Sequence, residues 1–164
     1  MTFTIQPATR ADLSTIVELI RALAVYEKLE HLMISTESDF ERELFGAQAR
    51  VECVIAREAG EPIGFALFFN NFSTFLGRKG LYLEDLFVKA EHRGKGYGKA
   101  LLVHLAKIAV ERNCGRFEWS VLDWNEPSIK FYEAMGATVL PDWRIVRATG
   151  DRLQALAAMS TASS

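Results

Sequence analysis

The sequence predicts an α/β fold, a mixed sheet with helices on both faces. Two observations carry this. Apolar residues switch along the chain between a spacing of two and a helical spacing of about 3.6. The resulting element order is β-α-α-β-β-β-α-β-α-β. In addition, a strand-like run from Leu81 to Val88 leads through three alternate-position glycines, Gly94, Gly96 and Gly98, into an amphipathic helical pattern.

Phe3 and Ile5 mark a short first strand that ends near Pro7. Asp12 is placed to cap a helix whose apolar positions Leu13, Ile16, Val17, Ile20, Leu23 and Ala24 keep helical spacing. Thr36 followed by Asp39 resembles a capping box and starts a second helix, which Gly46 ends. Val51 to Arg57 and Ile63 to Phe69 read as a hairpin turning at Gly60-Glu61-Pro62. A longer loop, Phe72 to Gly80, precedes the Leu81 to Val88 strand. The helix after the glycines carries Leu101, Leu102, Leu105, Ile108 and Ala109 on one face and stops around Asn113-Cys114-Gly115. Phe117 to Leu122 reads as another strand. Asn125 caps a shorter helix with Pro127 in its first turn, where a missing N–H is harmless, and Gly136 stops it. Val139, Ile145 and Val146 predict strands around a break at Pro141-Asp142. A small helix from about Asp151 to Met159 follows, and the small-residue tail Ser160 to Ser164 is expected to fray.

With 164 residues, 49% of them hydrophobic, the chain reads as one domain over residues 1–164 with a sizeable core. A formal charge of -2 gives no sign of nucleic-acid binding. Cys53 and Cys114 lie in or beside apolar runs without a CxxC or Cys/His pattern. They read as thiols of a reducing cytoplasm, with no metal site and no disulfide. The start of the chain lacks a signal-peptide pattern, and no apolar run reaches the length of a membrane span.

The glycines point to an anion. Glycine lets the backbone take positive φ and approach a ligand closely. A helix start offers free N–H groups and the positive end of the helix dipole, which suit a phosphate. Arg93, Lys95 and Lys99 add positive charge there. A Walker A loop fits poorly: three residues, not four, separate Gly94 from Gly98-Lys99, and Ala100 stands where Ser or Thr holds magnesium. A dinucleotide fingerprint also fits poorly, because the spacing is G-x-G-x-G.

Arg93-Gly-x-Gly-x-Gly98 after a strand ending in Val88 instead resembles the pyrophosphate loop of the GNAT acetyltransferase superfamily. Asn125, the Phe131-Tyr132 pair and Gly136 resemble the second half of that superfamily's pattern. Pro7-Ala-Thr9, Leu23-Ala-Val-Tyr26-Glu27, Leu81-Tyr-Leu-Glu-Asp85 and Trp124-Asn-Glu-Pro-Ser128 extend the likeness. They look like the diamine (spermidine/spermine) and thialysine N-acetyltransferases, to about residue 156. The resemblance implies a GNAT fold, a mixed and mostly antiparallel sheet whose central strands splay apart, with acetyl-CoA between them and no metal. Backbone groups of Leu86, Phe87 and Val88 are then expected to hold the pantetheine arm. Amides of Arg93, Gly94, Lys95, Gly96, Tyr97, Gly98 and Lys99 would surround the pyrophosphate. Asn125 and Ser128 would add side-chain contacts.

Acetyl transfer to an amine needs a neutral nucleophile and a stabilised leaving thiolate. An ammonium with pKa near 10.4 is neutral in only about one molecule in a few thousand at pH 7. Glu84 is the candidate for holding the amine and relaying its proton, although two adjacent acids can also mark a solvent-facing strand position. Tyr132 is the candidate general acid; packing beside Phe131 is the plainer role for a helix tyrosine. Ser128 and Tyr132, four apart, share a helix face. His31, His92 and His104 read as structural, and direct attack in a ternary complex is favoured over a cysteine-bound intermediate. The resemblance places Tyr26, Glu27, Glu84, Glu118, Trp119 and Ser120 near a small cationic amine. It also implies a cytoplasmic homodimer. Acetylation of a protein N-terminus or lysine, and an acyl-CoA-binding module without turnover, remain open alternatives.

Overall fold

The computed structural model describes residues 2–161. The fraying expected for the tail falls in part on residues 162–164, outside the described residues. The chain divides into two compact units, one running through Ser120 and one from Val121 onward.

The first unit is built on a five-stranded sheet in sequential order. Its strands are β1 (Phe3–Pro7), β2 (Glu52–Glu58), β3 (Glu61–Ser73), β4 (Arg78–Val88) and β5 (Phe117–Trp119). The first three pairings are antiparallel and β4–β5 is parallel, so the sheet is mixed and mostly antiparallel. The parallel step requires a crossover, which α3 (Tyr97–Glu111) supplies. Helices α1 (Leu13–Tyr26) and α2 (Glu37–Phe45) fill the long connection between β1 and β2.

Each face of the sheet buries one helix stripe. Leu19, Ile16 and Leu23 of α1 pack with Cys53, Ile55, Phe65, Leu67 and Phe87. The alternate residues Val54, Ala56, Ala66 and Phe68 point to the other face by the pleat and are equally buried. There α3 packs on β3 and β4, with Leu101, Leu102, Leu105 and Ala109 buried. Each such leucine contributes about 1.5–3 kcal/mol by leaving water. The capping box predicted at Thr36 forms: the Thr36 N–H donates to Asp39 at 2.8 Å, and the Asp39 N–H returns a bond to Thr36 Oγ1 at 3.4 Å. Asp12 precedes α1, but its carboxylate serves Thr9 and Arg57 rather than the first turn of that helix. The contact with Arg57, at 2.5 Å, ties the entry of α1 to β2.

Two expectations shift here. The long loop over Phe72 to Gly80 shrinks to residues 74–77, because β3 and β4 pair out to Ser73 and Arg78. The strand expected over Phe117 to Leu122 ends at Trp119, its last residue with a β4 partner.

The second unit holds α4 (Glu126–Ala134) and α5 (Gly150–Ala157). Asn125 Oδ1 accepts the Ser128 N–H at 3.4 Å, as its capping position predicts. Gly136, at φ 94°, follows the end of α4. No strand forms at Val139, Ile145 or Val146, against expectation; all three side chains are exposed. An apolar alternation describes side chains, but a strand also needs a neighbour for its amides. No helix among the described residues is long and apolar enough to cross a membrane.

Candidate active site

β4 carries the distinctive geometry of the first unit. Its β5 partners end at Leu83–Trp119, yet β4 runs on to Val88. From Glu84 onward its β5 side is open, and Leu86, Phe87 and Val88 lie in that stretch. At the same place the register with β3 slips: Phe68 faces Leu83 and Leu67 faces Asp85, leaving Glu84 as the extra residue of a β-bulge. Bulges re-aim side chains and recur beside functional sites. Here Glu84 is exposed, while Asp85, opposite Leu67, turns to the α1 face.

That turn gathers three carboxylates. Burial pushes the Asp85 carboxyl up to about 7, and the nearby charges of Glu84 and then Glu27 add to the rise. Glu27, the residue after α1, is also raised by burial. Glu27 and Glu84, two of the acids that the family resemblance places near the acceptor, thus both lie close to Asp85, which the sequence pattern does not single out. The adjacent acids are visible in the sequence. The bulge that sends them to different environments is not, because it is set by pairing with β3.

The glycine loop follows a short 3-10 turn at Ala90–His92. Gly94 and Gly96 adopt φ of 80° and 86°, a conformation that L side chains resist. Gly96 precedes the first residue of α3, so the amides of Tyr97, Gly98 and Lys99 belong to the first turn, which lacks intrahelical acceptors. Lys95 and Lys99 are exposed beside them. These features fit a phosphate-bearing ligand. Arg93 is differently employed. Its N–H is bonded to the Ala90 carbonyl at 3.2 Å. Its Nε donates to the Val88 carbonyl at 3.0 Å, and its guanidinium lies over the Tyr26 ring at 4.4 Å. The Arg93 amide and the Val88 carbonyl therefore already have internal partners, and the arginine links the loop to the end of α1.

On β5, Glu118 forms an ion pair with Arg116 at 2.9 Å, although the Arg116 Nε–H is not aligned for a hydrogen bond. That pairing offsets the negative charge Glu118 was expected to offer an amine. Ser120 shares a hydrogen bond of 3.0 Å with the Tyr82 hydroxyl. Trp119 packs against Phe117, their ring centroids 4.8 Å apart. Cys53 is buried, and its thiol is pushed up to about 12, chiefly by burial. It stays protonated at neutral pH and makes a poor nucleophile.

In the second unit, Ser128 and Tyr132 stand four residues apart on α4. Asn125 uses its side-chain oxygen to cap that helix. The Tyr132 ring lies 5.4 Å from that of Phe131.

Residues 13–137, from the start of α1 through α4, match the acetyltransferase (GNAT) family. An L-ornithine N5-acetyltransferase of Arabidopsis thaliana is 35% identical, over 93% of this chain and 86% of its own. A thialysine N-epsilon-acetyltransferase of Bos taurus is 34% identical, over 93% of this chain and 96% of its own. Among solved structures, an integron cassette protein from the mobile metagenome of V. cholerae superposes with a TM-score of 0.80. It is 29% identical and covers 97% of this chain and 99% of that one. On these grounds the chain belongs to the acetyltransferase (GNAT) family and is an N-acetyltransferase.

Proposed function

We propose that the protein transfers the acetyl group of acetyl-CoA to a primary amine of a small cationic acceptor, of the polyamine, diamine or thialysine class. The observation that carries this reading is the gathering of Glu27, Glu84 and Asp85 where β4 leaves β5. Acidic groups beside an open strand edge favour a cationic acceptor over a neutral one. Two relatives are named for ornithine and thialysine, both of them amines.

In this reading the glycine loop and the first turn of α3 hold the pyrophosphate of acetyl-CoA. The open edge at Leu86 and Phe87 holds its pantetheine arm. Glu84 receives a proton from the acceptor ammonium, directly or through water, and the neutral nitrogen attacks the thioester carbonyl carbon. The new C–N bond forms as the C–S bond breaks. The electron pair leaves with sulfur, and the Tyr132 hydroxyl supplies the proton that converts the thiolate to free CoA. The second proton lost by the acylated nitrogen returns to the Tyr132 phenolate through water, and Glu84 releases its proton to solvent. A phenol of pKa near 10 and a thiol of pKa near 8.5 are matched closely enough for hydrogen bonding and transfer. The buried, protonated Cys53 favours direct attack in a ternary complex over an acetyl-cysteine route.

A CoA-release assay across spermidine, spermine, shorter diamines, ornithine, thialysine, lysine and peptides tests the proposal. A preference above about tenfold in kcat/KM for one small amine class corresponds to about 1.4 kcal/mol and sets the acceptor. A preference for peptides overturns the small-amine reading. Acetyl-CoA binding without release on any amine overturns turnover itself. The homodimer implied by the resemblance is tested separately by light scattering of the purified protein.

A further inference from the structure

Glu58, at the end of β2, pairs with Phe3 of β1 and shares its face of the sheet. Its side chain is about nine-tenths buried, at 10% exposure. One carboxylate oxygen accepts the Tyr97 hydroxyl at 2.5 Å. The other is 3.0 Å from His92 Nδ1 and 3.7 Å from Lys95 Nζ. The three partners bracket the glycine loop. His92 closes the turn before it, Lys95 stands between Gly94 and Gly96, and Tyr97 opens α3. Phe3 adds a second hold, stacking on the Tyr97 ring with centroids 4.5 Å apart and planes 12° apart.

The loop needs such a hold. A Cβ built at Gly94 or Gly96 would meet nothing within 4 Å. The glycines are therefore not wedged in place by neighbours, and glycine loses more freedom on ordering than any other residue. A carboxylate close to an anion site is unfavourable in itself. This one is offset by the Lys95 ammonium and by the donors that face it, and it contacts side chains of the loop rather than its amides.

We propose that Glu58 is a positioning residue for the anion-binding loop, holding His92, Lys95 and Tyr97 so that the loop and the first turn of α3 are shaped before the ligand arrives. Preorganisation of this kind acts on affinity, because less ordering is left to binding. The inference rests on the reading of the loop as the acetyl-CoA pyrophosphate cradle.

Calorimetric titration with CoA, paired with steady-state kinetics in acetyl-CoA, separates the two ideas. A wild-type protein that does not bind CoA removes the cradle reading and this inference with it. If the wild type binds, Glu58→Ala is expected to raise Kd and the acetyl-CoA KM by about tenfold or more, with kcat at saturation changed less than about threefold. Glu58→Gln, which keeps an acceptor for the Tyr97 hydroxyl, should recover part of that loss. Tyr97→Phe should weaken CoA binding too, and the double variant Glu58→Ala/Tyr97→Phe should lose less than the product of the two single effects, because both remove one contact. CoA affinity of Glu58→Ala within about twofold of wild type overturns the proposal. So does independent multiplication of the two effects, or a fall in kcat as large as the fall in affinity. If Glu58→Ala does not fold, unchanged CoA affinity in Tyr97→Phe overturns it instead.

Discussion

Replacing Asp85 by Asn should change how stability depends on pH. The Asp85 carboxyl rises from 3.8 to about 7, first through burial and then through Glu84 and Glu27. Between those values the folded protein holds a proton that the unfolded chain has released. Stability therefore falls as pH rises through the window, and the whole penalty is present above it. At about 1.4 kcal/mol for each pH unit of that window, the penalty has a ceiling of about 4 kcal/mol. Asn removes the titration. The stability advantage of Asp85→Asn over wild type should be about 2 kcal/mol at pH 5 and about 4 kcal/mol at pH 8, apart from a constant offset for the new amide. The informative quantity is the change between the two pH values, from which that offset drops out. Glu27 is raised by burial as well, so a weaker slope of the same sign remains in the variant. Urea unfolding at fixed ionic strength at pH 5, 6, 7 and 8 measures the gap. Parallel curves for wild type and variant would mean that Asp85 ionises normally in the folded state, and the buried carboxyl would have to be abandoned.

Three further outcomes are expected. Tyr132→Phe should lower kcat by on the order of a hundredfold while leaving acetyl-CoA affinity within about threefold; steady-state kinetics with a CoA titration would show equal turnover if the hydroxyl plays no part. Leu105→Ala, at a fully buried α3 position, should cost about 2–5 kcal/mol by denaturant unfolding, and a loss below about 1 kcal/mol would contradict tight packing there. Gly64→Ala should destabilise by about 1–3 kcal/mol, because its Cβ would lie 2.5 Å from the Phe87 carbonyl oxygen. A neutral result by thermal or urea unfolding would show that β3 and β4 can part without loss.

The helices are legible in the sequence because their signals are local. Thr36 and Asp39 announce the start of α2, Asn125 and Pro127 that of α4, and the leucines of α3 repeat at the helical period. The glycine loop is legible for the same reason: positive φ at Gly94 and Gly96 has few chemical solutions. What escapes depends on partners distant in sequence. Asp85 looks like the solvent-facing twin of Glu84 until pairing with Leu67 turns it toward α1. Glu58 looks like an ordinary polar strand end, and only the fold brings Tyr97 and His92 to it. Val139 and Val146 carry a strand-like pattern without the neighbour that would complete it.

The extra residue in β4 also sets how the strand can evolve. Leu81 and Leu83 pair with Asn70 and Phe68, whereas Asp85 and Phe87 pair with Leu67 and Phe65. All four are odd-numbered, yet the first pair faces α3 and the second faces α1, because the strand changes parity at Glu84. Deleting one residue there would restore a uniform alternation and force one half to present its side chains to the wrong helix. Point substitutions along β4 can be repaired one at a time. A change of length cannot, unless a second change restores the phase within the next few residues. Relatives that diverge in acceptor can therefore be expected to vary the identity of residues around this point while keeping the count between Leu81 and Val88.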